Sequence, residues 1–157
     1  MRFISFICTL FSVPLALAFP AVGDKVVFDG TYTSPDGLVV VFTQTMEIVA
    51  FDASTEIFTF SNTFVSSGKP IQNTVTIPAS EMVSDVKVRE VLGGCEAAGG
   101  TIEDIRVPAG TFRTCRSSKQ DGGTVWTANV PFGFVKEIYF DGKDRVEVEL
   151  RGLHAGQ

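Results

Sequence analysis

The chain has 157 residues, a formal net charge of −5 and 45% hydrophobic residues. That length suits one domain around a single core. An acidic balance argues against nucleic acid and anionic lipid surfaces as partners, because both require a positive patch.

Residues 1–18, MRFISFICTLFSVPLALA, have the three-part layout of a secretory signal. Arg2 is the short positive start, an apolar stretch follows, and Ala16 and Ala18 are the small residues a signal peptidase reads. Ser5, Thr9, Ser12 and Pro14 interrupt that stretch, whereas a spanning helix needs about 20 apolar residues. The expectation is an exported chain, periplasmic or secreted, cleaved after Ala18. Residues 19–157 then form a single β-rich domain with no membrane span. Cleavage removes Cys8 and leaves Cys95 and Cys115. An even pair in an exported chain reads first as a disulfide, closing a loop worth about 3 kcal/mol in the chain-entropy model. There is no Cys-x-x-Cys motif, and a zinc site would need more than the single histidine, His154.

The mature chain reads mostly as strands. Residues 25–33 are rich in β-branched and aromatic side chains, and Ser34-Pro35-Asp36-Gly37 is a turn. From residue 38 to 50 the even positions include Leu38, Val40, Phe42, Met46, Ile48 and Ala50, against Thr43, Thr45 and Glu47. This period of two predicts a long half-buried strand. Residues 38–41 are apolar on both sides, which predicts cover on both faces at that end. Strands over 55–65 and 71–77 follow, with Phe58, Phe60 and Phe64 on one face. Between residues 84 and 98, Val88, Val91, Leu92, Cys95 and Ala98 make a helical stripe, weakened by Gly93 and Gly94. Strands resume over 101–107, 111–119, 124–129 and 134–140. Asp141-Gly142 is a hairpin signal before a last alternating strand over 145–151. The predicted fold is mainly β: a strongly curved antiparallel sheet or incomplete barrel of about seven to nine strands. One helix comes after the fourth or fifth strand and covers the open face.

The segment GGCEAAGGTIEDIRVPAGTFRTC, followed by GGTVWTANVPFGFVKE, resembles a family of uncharacterised bacterial periplasmic proteins. Those proteins share a Val-Pro-Ala-Gly-Thr-Phe turn within a cysteine pair, and a Trp strand leading to Val-Pro-Phe-Gly-Phe-Val-Lys. More loosely, the layout resembles the lipoprotein-carrier superfamily of the bacterial envelope. That resemblance implies an incomplete barrel with a helical lid over an apolar cavity, and it is an analogy of fold. Phe112, Trp126, Phe132 and Phe134 are expected to cluster on the concave face, either as ordinary core or as the lining of an apolar pocket.

No nucleophile elbow, phosphate loop, dinucleotide fingerprint or His-Glu-x-x-His motif occurs. Glu96, Glu103 and Asp104 read as solvated surface. The expectation is therefore a non-enzymatic protein with no catalytic residue, no metal and no cofactor. Two functions stand side by side. One is a periplasmic module binding an apolar small molecule or lipid in the concave face. The other is a structural or interaction protein of the envelope, with a filled core and a protein partner.

Overall fold

A computed structural model describes residues 19–156. The secretory signal expected over residues 1–18, with Cys8, lies outside the described residues. Nine strands form one antiparallel sheet in the order β4-β3-β2-β1-β9-β8-β7-β6-β5. They are β1 (Lys25–Thr33), β2 (Val39–Asp52), β3 (Ile57–Ser66), β4 (Lys69–Pro78), β5 (Thr101–Val107), β6 (Gly110–Ser118), β7 (Thr124–Thr127), β8 (Phe134–Asp141) and β9 (Asp144–His154). A 3-10 turn, Ala79–Glu81, and one helix, α1 (Asp85–Gly94), separate β4 from β5. The fold is mainly β with its helix after the fourth strand, as the patterning predicts.

The order has a simple cause. Short connections make two meanders, β1 to β4 and β5 to β9. These join where β1 pairs with β9, from Lys25 opposite His154 to Thr33 opposite Arg145. β4 and β5 therefore lie at opposite edges, and the connection between them must cross a face. A helix satisfies its own backbone hydrogen bonds during that crossing. The sheet curls without closing. The β5–β6 turn reaches back to β9, where the Ala109 N–H donates to the Leu150 carbonyl at 3.0 Å.

Alternation supplies the core. Val26 and Phe28 on β1, Val146, Val148 and Leu150 on β9, Phe42 on β2 and Val135 on β8 form a central buried cluster. Each large side chain buried there contributes roughly 1.5–3 kcal/mol. Gly30 lies opposite Phe42, and a Cβ at Gly30 would sit 2.2 Å from the Phe42 ring. The ring thus covers the glycine and meets Phe64 at a 4.6 Å centroid distance. A second cluster joins Ile48, Phe58, Phe60 and Met82.

Three expectations need correction. The start of β2 is not covered: Leu38, Val39 and Val41 are 63%, 56% and 69% exposed. β3 ends at Ser66, opposite Phe42, so the tip of the β1–β2 hairpin projects beyond its neighbour. The even-residue phase of β2 stops at a register shift between Ile48 and Ala50. Ala50 is exposed, and Phe51 instead meets Phe58, with ring centroids 4.4 Å apart. On the helical stripe Val88 and Cys95 are buried, whereas Val91 and Ala98 are exposed, because α1 touches the sheet along a narrow line.

Candidate functional site

α1 is held at both ends. Ser84 caps its start, accepting from the Lys87 N–H at 3.3 Å, and the Asp85 N–H donates to the Phe19 carbonyl at 3.1 Å. The Lys87 ammonium donates to the carbonyls of Ser80 and Met82 at 2.7 and 2.9 Å, tying the 3-10 turn to the helix. Beyond its last turn, Cys95 is disulfide-bonded to Cys115 of β6. Between these anchors the helix and the sheet leave a trough of about 350 Å³. Val83, Val88, Val91, Val125, Phe132 and Phe134 give it an apolar lining, while Lys87 and Thr127 are polar members of its wall.

The floor is shaped by the turn Val130-Pro131-Phe132-Gly133. The Gly133 N–H donates to the Val130 carbonyl at 2.9 Å, and both Phe132 (φ 66°) and Gly133 (φ 80°) are left-handed. Proline at the second position and positive φ at the third match a type II turn, which ordinarily takes glycine there. Here a phenylalanine holds that conformation. Its side chain packs against both hydrophobic clusters, edge-on to Phe60 at 5.6 Å. A Cβ on Gly133 would lie 2.5 Å from the Val83 Cγ1 and 3.2 Å from the Val88 Cγ2, so glycine lets α1 and the segment leading into it approach this closely.

The four aromatic residues expected on the concave face all touch the margin of the central cluster, but they do not share a cavity. Phe132 and Phe134 line the trough, and Phe134 also stacks on Phe28 at 4.7 Å. Phe112 packs beside the cluster without lining the trough. Trp126 alternates with Val125 and Thr127, so it leaves the other side of β7. Its Nε1 donates to Glu103 at 2.7 Å, and the Lys136 ammonium lies 5.5 Å from its ring centre. It borders a separate polar hollow of about 210 Å³ with Arg116, Ser117 and Thr124. The sequence reading missed Val83, Val88, Val91 and Val125 as lining. For Val125 a signal existed, since period two sets it and Trp126 on opposite faces.

A larger hollow, about 780 Å³, lies on the opposite face of the sheet, across β3, β2, β1 and β9. Asp29, Thr31, Thr43, Glu147 and Glu149 line it and alternate with the buried core residues of their strands. Its carboxylates are already paired. Glu147 and Glu149 each meet Lys136 at 2.7 Å, Glu147 meets Arg145 at 2.7 Å, and Asp29 meets Arg151 at 3.4 Å. Burial pulls the Lys136 ammonium down, but the two glutamates together outweigh it and leave its pKa raised. The hydrogen bond from Lys136 holds Glu147 below the usual carboxylate range against the opposing effect of burial, with Arg145 assisting. Val41 and Val65 also line it, but apolar side chains scattered among mutually neutralised charges make a less uniform wall than the valines and phenylalanines under α1. The trough under α1 is therefore the better candidate site.

The acidic residues do not gather. Glu103 is engaged by Trp126 and by Arg116 at 3.8 Å, while Asp104 and Glu96 are exposed. His154, at the end of β9, is exposed as well. Among the described residues no group of three or more His, Cys, Asp or Glu side chains could hold a metal ion. Among them also, no helix is long and apolar enough to cross a membrane.

No protein-family model matches the chain, and no curated protein does. Among solved structures, the chain is similar to a Bacteroides fragilis protein described as exported, with a YmcC-like fold. The identity is 12% and the TM-score 0.48, over 88% of this chain and 99% of that one. It is also similar to a protein from Parabacteroides distasonis described as a lipoprotein, at 12% identity and TM-score 0.44, over 85% and 96% of the two chains. A LolA superfamily protein from Nitrosomonas europaea is similar at 8% identity and TM-score 0.29, over 90% of each chain. Scores at this level carry no argument about function.

Proposed function

We propose that this protein is a non-enzymatic exported module that holds an apolar small molecule or lipid in the trough between α1 and the sheet. The observation that carries the reading is the lining: six apolar side chains around about 350 Å³ of space, with one lysine in the wall. Ligand sites are typically concave and mostly apolar with few polar groups, and begin at about 300 Å³. The secretory layout of residues 1–18 supports an address outside the cytoplasm.

The test is binding of an apolar fluorescent probe, together with native mass spectrometry of protein purified from the cell envelope. A co-purified apolar molecule and probe binding are expected. Val91→Asp brings a charge into the lining at a position that is 45% exposed. It should weaken probe binding about tenfold while leaving the fold intact, since desolvating an unpaired carboxylate is costly. Absence of both the probe signal and any bound molecule would overturn the reading. The packed central cluster favours the second reading, an interaction protein with a filled core. A specific cross-linked partner without any apolar ligand would support that one instead.

A further inference from the structure

β4 is an edge strand with an unusual arrangement of donors. The Ala79 N–H donates to the Glu56 carbonyl at 2.7 Å, just beyond the unbroken β3–β4 ladder. By the alternation of antiparallel pairing, the odd residues of β4 bond to β3 and the even residues turn their backbone groups outward. The even residues are Pro70, Gln72, Thr74, Thr76 and Pro78. The outward donors are thus Gln72, Thr74 and Thr76, and the two prolines lie symmetrically about Thr74. Nearly every residue of the strand is exposed, Ile71 by 69% and Val75 by 44%. Lys69 is its only charge, at one end. The opposite edge, β5, carries Glu103, Asp104 and Arg106 in seven residues. Exposed edges are ordinarily guarded by charges of that kind or by proline; on β4 the two prolines stand at the ends and leave the three donors between them open.

We propose that β4 pairs antiparallel with β4 of a second copy of this chain, about a two-fold axis at Thr74. In that register Gln72 faces Thr76 of the second copy, and Thr74 faces its own counterpart. With the symmetry-related pair of Thr76 and Gln72, three pairs each exchange two backbone hydrogen bonds. Pro70 falls opposite Pro78, so the two positions that lack a donor coincide and no N–H is stranded. On the other face Ile71 meets Ile77, covering the most exposed apolar side chain of the strand. Lys69 meets Ala79, so no like charges oppose. An isologous contact is self-complementary by symmetry, and this strand meets that condition in hydrogen bonding, charge and apolar cover. Pairing along one strand buries less than the about 1,200 Å² of a standard interface, so the dimer is weak and concentration-dependent.

Sedimentation equilibrium of the oxidised protein tests this. A reversible monomer–dimer equilibrium is expected below about 1 mM. Gln72→Lys combined with Thr76→Lys places lysines opposite one another twice across the axis, and should raise Kd about tenfold or more. Gln72→Lys combined with Thr76→Glu restores complementary charges and should return Kd to the wild-type range. Both positions are exposed, so far-UV circular dichroism should be unchanged in each variant. Thr74→Pro removes the central donors and should abolish the dimer, and the charge pair decides the matter if that variant fails to fold. A protein that stays monomeric, or a dimer that ignores the charge variants, would overturn the proposal. Failure of the second charge variant to recover would overturn the register.

Discussion

Position 132 allows the turn beneath α1 to be tested by the sign of a stability difference. Phe132 is partly buried, packs against both clusters and holds φ at 66°. Replacing a fully buried phenylalanine with alanine costs about 3–5 kcal/mol. For this partly exposed ring, Phe132→Ala should cost about 2–3 kcal/mol. Phe132→Gly loses the same ring but releases the left-handed strain of a residue with a Cβ, about 1–2 kcal/mol. Against that stands the greater entropy of glycine in the unfolded chain, about 0.5–1 kcal/mol. Glycine should therefore match alanine or exceed it by up to about 1.5 kcal/mol. In an ordinary strand, alanine would win by about 0.5–1 kcal/mol. Urea unfolding of the oxidised protein, followed by Trp126 fluorescence, measures both variants on one scale, and equal m-values make the comparison valid. Alanine exceeding glycine by about 0.5 kcal/mol or more would show that residue 132 is not held left-handed. A cost below about 1 kcal/mol for Phe132→Ala would show that the ring does not tie the clusters together.

Other expectations concern the anchors around the site. The double variant Cys95→Ala, Cys115→Ala should lose about 3 kcal/mol for a bond spanning 20 residues. Hydrogen exchange should accelerate first in α1, and a loss below about 1 kcal/mol would contradict the anchoring role. Asp24 is 2% exposed and accepts from the Ala21 N–H at 2.7 Å and the Gly156 N–H at 2.9 Å. Asp24→Ala strands both donors and should cost about 3 kcal/mol in denaturant unfolding. An unchanged midpoint would mean that it does not clasp the segment before β1 to the segment after β9. The Tyr32 hydroxyl donates to Asp144, which, with burial and the nearby negative charges, pushes the Tyr32 pKa up to about 12. A raised folded pKa means that this stabilisation is complete below about pH 10 and is lost as pH rises from there to about 12. Tyr32→Phe should flatten that part of the stability profile. Ultraviolet titration of the wild type should show a tyrosine step near pH 12 that Tyr32→Phe removes. Absence of that step would refute the contact.

Most of the strands were legible because their cues are local. Ser34-Pro35-Asp36-Gly37 and Asp141-Gly142 mark turns by their chemistry, and alternation such as Val146, Val148 and Leu150 against Glu147 and Glu149 marks a face. The same local cues misled where a neighbour ended or a residue was inserted. Val39 and Val41 are as apolar as buried residues, and only the end of β3 at Ser66 leaves them in water. The shift after Ile48 adds one residue and leaves no trace in composition, yet it brings Phe51 to Phe58. At the site, aromatic content drew notice to Trp126, while the lining depends on valines that any strand or helix could carry.

By itself, the sequence determined the kind of structure: period two, turn residues, one helical stripe and a cysteine pair lead to a β-rich chain with one helix and one cross-link. Tertiary structure decided which strands are neighbours, because alternation reports a face and not a partner. The pairing of Lys25 with His154 joins strands far apart in the sequence, and it sends β4 and β5 to opposite edges. That separation makes α1 cross the sheet and leaves the trough beneath it. It also leaves β4 with its outward donors open.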